Sequence, residues 1–95
     1  MKKDFGGFKG VLIIGLGLIG GSIAVSLKSS GYGGKIYGFD LSPERVKKAV
    51  ELQAVDEGFT NLDDIPWENV DLVIIATPVK NFVKVAEEIK SYLKE

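Results

Sequence analysis

Six residues, Gly15-Leu16-Gly17-Leu18-Ile19-Gly20, constrain this chain more than any other feature of it. They follow the apolar run Val11-Leu12-Ile13-Ile14 and open a segment in which Ile19, Ile23 and Leu27 recur four residues apart. An unbroken β-branched run without polar alternation suits a strand buried on both faces of a parallel sheet, and a four-residue spacing marks a helix face. Strand therefore passes into helix across the glycines. A helix N-terminus offers unpaired N–H groups and about half a positive charge, which makes this junction suited to an anion. Gly15 serves the tight turn, Gly17 lets backbone approach a pyrophosphate, and Gly20 permits close packing of helix on strand.

The motif alone is weak, and its surroundings give it specificity. Lys35-Ile36-Tyr37-Gly38-Phe39-Asp40 reads as a second strand, and its final acid comes twenty residues after Gly20. That spacing is the one a dinucleotide-binding unit uses for ribose recognition. A carboxylate there accepts both hydroxyls of the adenosine ribose and repels a 2′-phosphate, so NAD is favoured over NADP. Asp is also well suited to a plain turn, which is the minority reading. Arg45, one turn into the next helix, either stacks on the adenine face or is solvated. Ser22 either reaches a phosphate or is simply a small residue in the first helical turn.

The rest of the chain repeats the strand-to-helix alternation with different punctuation. Gly31 supplies a stop for the first helix, and Ser42-Pro43 opens the second as N-cap plus first-turn proline, with Val46, Ala49 and Val50 on its buried face. Phe59 marks a short third strand, and 61–69 is a polar connection interrupted by Pro66, with room for one helical turn. Asp71-Leu72-Val73-Ile74-Ile75-Ala76 is a buried fourth strand that ends at Thr77-Pro78, an N-cap with proline at the carboxyl edge where open α/β sheets bind ligands. The closing helix is expected to bury Val79, Phe82, Val83, Ala86, Ile89 and Leu93. Trp67 is expected to be a packing anchor with no ligand. Right-handed crossovers then give a Rossmann-type open parallel sheet with flanking helices, truncated at about four strands in the order 3-2-1-4.

Composition narrows the function. With 95 residues there is space for one domain, and 45% hydrophobic and 26% charged residues are globular values. A net charge of −1 gives no reason to expect nucleic acid as partner. Residues 1–50 hold eight basic and three acidic side chains, which leaves −6 for 51–95; the glycine motif sits in the positive half. There is no cysteine and no histidine, so neither a disulfide scaffold, a Cys-ligated metal site nor imidazole acid/base chemistry is available. Met1-Lys2-Lys3 ahead of the seventeen residues Val11 to Leu27 imitates a signal peptide or a short membrane span, but the motif-spaced glycines inside that stretch argue against both. A cytoplasmic protein without membrane association is expected.

Four segments together carry a resemblance: Gly15-Leu16-Gly17-Leu18-Ile19-Gly20-Gly21-Ser22, the strand end Tyr37-Gly38-Phe39-Asp40, Asp56-Glu57-Gly58, and 71–79 ending in Ala76-Thr77-Pro78-Val79. Over nearly the whole chain from Gly10 the sequence resembles the N-terminal nucleotide-binding part of the prephenate dehydrogenase family, which oxidises and decarboxylates prephenate to 4-hydroxyphenylpyruvate in tyrosine biosynthesis. The doubled glycine with Ser22 and the Ala-Thr-Pro-Val strand end discriminate better than the glycine fingerprint. The resemblance implies that Gly15, Gly17, Leu18, Ile19 and Gly20 bind the pyrophosphate and Asp40 the ribose, with Thr77, Pro78 and Val79 running along the cofactor towards the nicotinamide; Leu41 and Arg45, beyond Asp40, are expected to complete the cofactor site.

It also implies what this chain lacks. The family's catalytic histidine, substrate-binding arginine and helical dimerisation domain lie beyond the equivalent of Glu95. The chain is therefore expected to be a fragment, residues 1–95 forming the dinucleotide-binding domain, with no catalytic residue and no metal site, inactive by itself and inclined to homo-oligomerise. Prephenate is expected to engage only the full-length enzyme. Two other readings remain open at this point: a nucleotide-sensing regulatory module, or the first half of a β-hydroxyacid dehydrogenase or pyrroline carboxylate reductase.

Overall fold

Strand β1, Gly10–Ile14, sends Val11 and Ile13 to one face of a sheet and Leu12 and Ile14 to the other, and all four are at most 2% exposed. A strand apolar on both faces needs cover on both, and the rest of the chain supplies it. The computed structural model describes residues 8–93, apart from the side chain of Val79; the Met1-Lys2-Lys3 segment lies outside the described residues. After β1 come α1 (Leu18–Ser29), β2 (Lys35–Phe39), α2 (Pro43–Glu51) and β3 (Glu57–Phe59). Two 3-10 turns, Leu62–Asp64 and Trp67–Asn69, lead to β4 (Leu72–Ile75), α3 (Val79–Ile89) and a final 3-10 turn, Lys90–Tyr92.

The strands are parallel in the order β3-β2-β1-β4. In register, Val11 lies between Ile36 and Leu72, and Ile14 between Phe39 and Ile75. One face carries α1 and α2 over Val11, Ile13 and Ile36 through Ala24, Leu27, Val46 and Ala49. The other buries Leu12, Ile14, Tyr37 and Phe39 under Ile65, Val70 and Ile89, so α3 and the β3–β4 connection share that layer. The expected fold, strand order and central position of β1 are all present. No helix among the described residues is long and apolar enough to cross a membrane, and the Val11 to Leu27 stretch is divided between β1 and α1.

Three expectations about buried faces need correction. On α1 the sheet-facing stripe is Gly20, Ala24 and Leu27, with Ile23 half-buried and Ile19 67% exposed. The small residues win because helix and strand touch: a Cβ on Gly20 would lie 1.7 Å from the Gly15 carbonyl oxygen. Val50 on α2 stays 39% exposed at the sheet rim beside Gly58, while Val46 and Ala49 are buried as expected. On α3 Ile89 is buried and Val85 and Ala86 are half-buried, whereas Phe82, Val83 and Leu93 are exposed. The helix stops at Ile89 before Leu93, and β4 is itself only half-buried because it forms the sheet edge, leaving less apolar surface for the helix to cover.

Helix ends and strand starts are fixed by local chemistry. α1 and α2 both close with paired bonds to their last carbonyls: Gly31 and Tyr32 donate to Lys28 and Leu27, and Gln53 and Ala54 donate to Val50 and Ala49. The left-handed residue is Gly31 (φ 91°) in one and Gln53 (φ 60°) in the other. Carboxylates hold the strand starts. Asp71 accepts the N–H groups of Lys9 and Gly10, and Asp56 accepts that of Ile36 while pairing with Lys28 at 2.9 Å. Trp67 is a packing anchor as expected: its Nε1 donates to the Leu62 carbonyl, and its ring stacks on Tyr92 with centroids 5.0 Å apart.

Candidate functional site

The carboxyl ends of β1, β2 and β4 converge on one cleft of about 1240 Å³, reached from β3 by Thr60 and Asn61 and walled on the far side by α3. At its centre the chain leaves β1 through Gly15, held at φ +100°, whose N–H donates to the Phe39 carbonyl at 2.8 Å. A side chain there would be strained by the dihedral and would meet the Ala76 carbonyl oxygen at 3.0 Å. Gly17 is the N-cap of α1, and beyond its own chain neighbours no atom lies within 4 Å of where its Cβ would stand. That space is open cradle.

The N-terminus of α1 is left unbalanced. It has no side-chain cap and no acid in its first turn. The first intrahelical bond runs from the Gly21 N–H to the Gly17 carbonyl, so the N–H groups before it and the positive end of the helix dipole face the opening. Leu18 and Ile19 are 88% and 67% exposed, and neither they nor Gly20 line the cleft, which Gly15 and Gly17 do. Ser22 donates its hydroxyl to the Leu18 carbonyl at 2.8 Å, which makes it a small helical residue occupied by its own backbone.

Asp40 does more than stand at the strand end. It is 9% exposed, and its Oδ2 accepts the Leu16 N–H at 2.8 Å while Oδ1 accepts the Ser42 N–H at 2.9 Å. One carboxylate thus ties the glycine loop to the start of α2. Each oxygen has two lone pairs, so one acceptor site on each remains for a ligand hydroxyl. Arg45 places Nη1 3.7 Å from Asp40 Oδ2 and is 61% exposed, a loose surface pair whose guanidinium is free to cover a flat ligand. Leu41 is 81% exposed beside it.

On the β4 side, Thr77 carries a buried hydroxyl oxygen with no hydrogen-bond partner. This corrects the expected N-cap: α3 begins at Val79 with Pro78 as its N-cap and no side-chain capping bond, because Pro78 is extended (φ −54°, ψ 146°) and moves Thr77 one residue out of capping position. An unsatisfied hydroxyl in a cleft wall is costly unless something completes it. Together, an open glycine cradle, unpaired helix N–H groups, a carboxylate with spare acceptor sites and an orphaned hydroxyl fit a nucleotide. The side chain of Val79, the remaining expected site residue, is outside what the structure describes. Missed by the sequence reading were Asn81, Lys84 and Glu88, which line the cleft from α3. Their i, i+3, i+7 spacing was the available signal.

The family model for the nucleotide-binding domain of prephenate dehydrogenase matches residues 23–95. The chain belongs to this family. A prephenate dehydrogenase of Bacillus subtilis is 39% identical over 79 residues, covering 83% of this chain and 21% of its own length. The crystal structure of prephenate dehydrogenase from A. aeolicus in complex with hydroxyphenyl propionate and NAD+ is 42% identical, with a TM-score of 0.85 over 90% of this chain and 30% of that one. The Synechocystis arogenate dehydrogenase is 28% identical, with a TM-score of 0.79 over 90% of this chain and 29% of that one. The chain thus spans between a fifth and a third of the length of these relatives. The sensing-module, β-hydroxyacid dehydrogenase and pyrroline carboxylate reductase readings are not better supported.

Proposed function

We propose that this chain is the NAD-binding part of a prephenate dehydrogenase, an enzyme that oxidises and decarboxylates prephenate to 4-hydroxyphenylpyruvate; NAD held here would supply the hydride acceptor. The observation that carries the reading is Asp40, a buried carboxylate tied to the glycine loop yet keeping an acceptor site on each oxygen. In this reading the free N–H groups of Gly17, Leu18, Ile19 and Gly20 hold the pyrophosphate, with Gly15 shaping the turn. Asp40 accepts the adenosine ribose hydroxyls, with Leu41 and Arg45 against the base, and Thr77, Pro78 and Val79 follow the cofactor towards its reactive end. Support comes from the A. aeolicus relative, whose crystal structure is a complex with NAD+, and from the match to a nucleotide-binding domain family. Lacking histidine, the chain has no imidazole to move the substrate proton, so the domain serves binding and orientation, and catalysis and the prephenate contacts belong to other parts of the enzyme.

Titration of NAD+ and NADP+ by calorimetry tests the reading. NAD+ should bind tighter, with a dissociation constant on the order of 0.1 to 1 mM, and Asp40→Ser should narrow the gap. Equal affinities for the two cofactors in the native chain would overturn it.

A further inference from the structure

We infer that Lys84 on α3 is a specificity-determining residue of this cleft, an electrostatic anchor that selects ligands carrying the pyrophosphate; the inference rests on the reading above. The charges lining the cleft are two cations, Arg45 and Lys84, and three carboxylates, Asp40, Glu44 and Glu88. Arg45 is paired with Asp40 at 3.7 Å. Lys84 has no ion-pair partner among the described residues. With Arg45 balanced against Asp40, a pyrophosphate entering this cleft meets two like charges, Glu44 and Glu88, against which the α1 N-terminus offers about half a positive charge. Lys84 supplies a whole one.

The construction of α3 points the same way. Buried Ile89 anchors the helix to the core under Leu12 and Ile14, and Asn81, Lys84 and Glu88 lie along the side of it that lines the cleft. Lys84 is exposed, so its ammonium bears little desolvation cost and can move to meet a ligand. Base recognition requires fixed donors and acceptors, whereas a mobile point charge recognises net charge. The chemistry it selects is therefore anionic phosphate, not the adenine ring.

The test uses the full chain and three probes, NAD+, ADP-ribose and adenosine, titrated at low and high salt against the native chain, Lys84→Met, Lys84→Arg and Lys47→Met. Lys47 sits on α2, is exposed and does not line the cleft, so it controls for net charge. Lys84→Met should weaken NAD+ and ADP-ribose about two- to fivefold at low salt. The loss should fade near 1 M salt, where the screening length is roughly 3 Å. Adenosine should bind unchanged, Lys84→Arg should retain native affinity, and Lys47→Met should behave as native. Equal weakening by Lys47→Met, equal weakening of adenosine, or no effect of Lys84→Met on NAD+ that the native chain does bind would each overturn the anchor. A native chain that binds none of the probes would sink the cofactor reading, and the anchor with it.

Discussion

Gly17 and Gly20 lie three residues apart in one motif and face opposite tests. At Gly17 an added methyl meets open space, so Gly17→Ala should cost no more than about 1 kcal/mol, the loss of a glycine N-cap, while weakening NAD+ by filling the cradle. At Gly20 the same methyl would sit 1.7 Å from the Gly15 carbonyl oxygen, and helix must part from strand. Gly20→Ala should cost about 1–3 kcal/mol or more. Urea unfolding and NAD+ titration of both variants separate the two roles. Gln53 is the converse case, a bulky residue at φ 60° where the matching closure of α1 uses Gly31. Gln53→Gly should stabilise by about 0.5–1 kcal/mol, read as a shift in urea midpoint. Such positions differ in how far a sequence reveals them. The turn at Gly15 and the close packing at Gly20 were legible because each is set within one turn of chain. The orphaned Thr77 hydroxyl was not, since it depends on where Pro78 starts α3.

Among the elements, β1 and β2 begin at carboxylates donated by later connections, and the Asp56 contact makes this a pH-dependent device. Burial raises the Asp56 pKa, but the Ile36 N–H first and then Lys28 and Lys35 outweigh it and hold the carboxyl below its ordinary 3.8. A lowered native pKa means that the ionised form binds the native state better, so this stabilisation is full above the unfolded value and is lost as pH falls through the lower native one. Asp56→Asn should therefore cost about 1–2 kcal/mol at pH 7, and its deficit should shrink as pH falls below the ordinary carboxylate value in a series of urea melts. A deficit independent of pH would show that packing, and not charge, is at stake. The alternation of strands and helices was readable from apolar spacing, yet the buried face of α3 was not. Phe82 and Val83 have the pattern of core residues, but helix burial follows what the sheet offers, and β4 at the edge offers little.

For the molecule as a whole, the order β3-β2-β1-β4 leaves one side of β4 without a strand partner among the described residues. Leu72 to Ile75 contains no proline and no charge, and such an edge offers N–H and C=O groups to another chain. Self-association is the expected outcome: light scattering should show mass rising with concentration, and Val73→Lys should suppress the rise. A parent that stays monomeric and is indifferent to that lysine would mean the edge is protected by other means. With prephenate and NAD+ the chain should produce no NADH above background, since a positioned acid/base is typically worth about 10² to 10⁴ in rate and this chain has no histidine to serve as one.

The two backbone bonds of Asp40 bear on anyone who would retarget this domain. Relieving repulsion of a 2′-phosphate means removing the carboxylate, but the same carboxylate is the acceptor for the Leu16 and Ser42 N–H groups. A smaller neutral residue would strand the buried Leu16 donor as it opened the site, at a cost of about 1–3 kcal/mol, and would leave the part-buried Ser42 donor to solvent. On the proposed function, cofactor preference and foldability are inherited together at position 40. A lineage or a designer switching to the phosphorylated cofactor must first accumulate spare stability elsewhere, or introduce a replacement acceptor for the glycine loop in the same step.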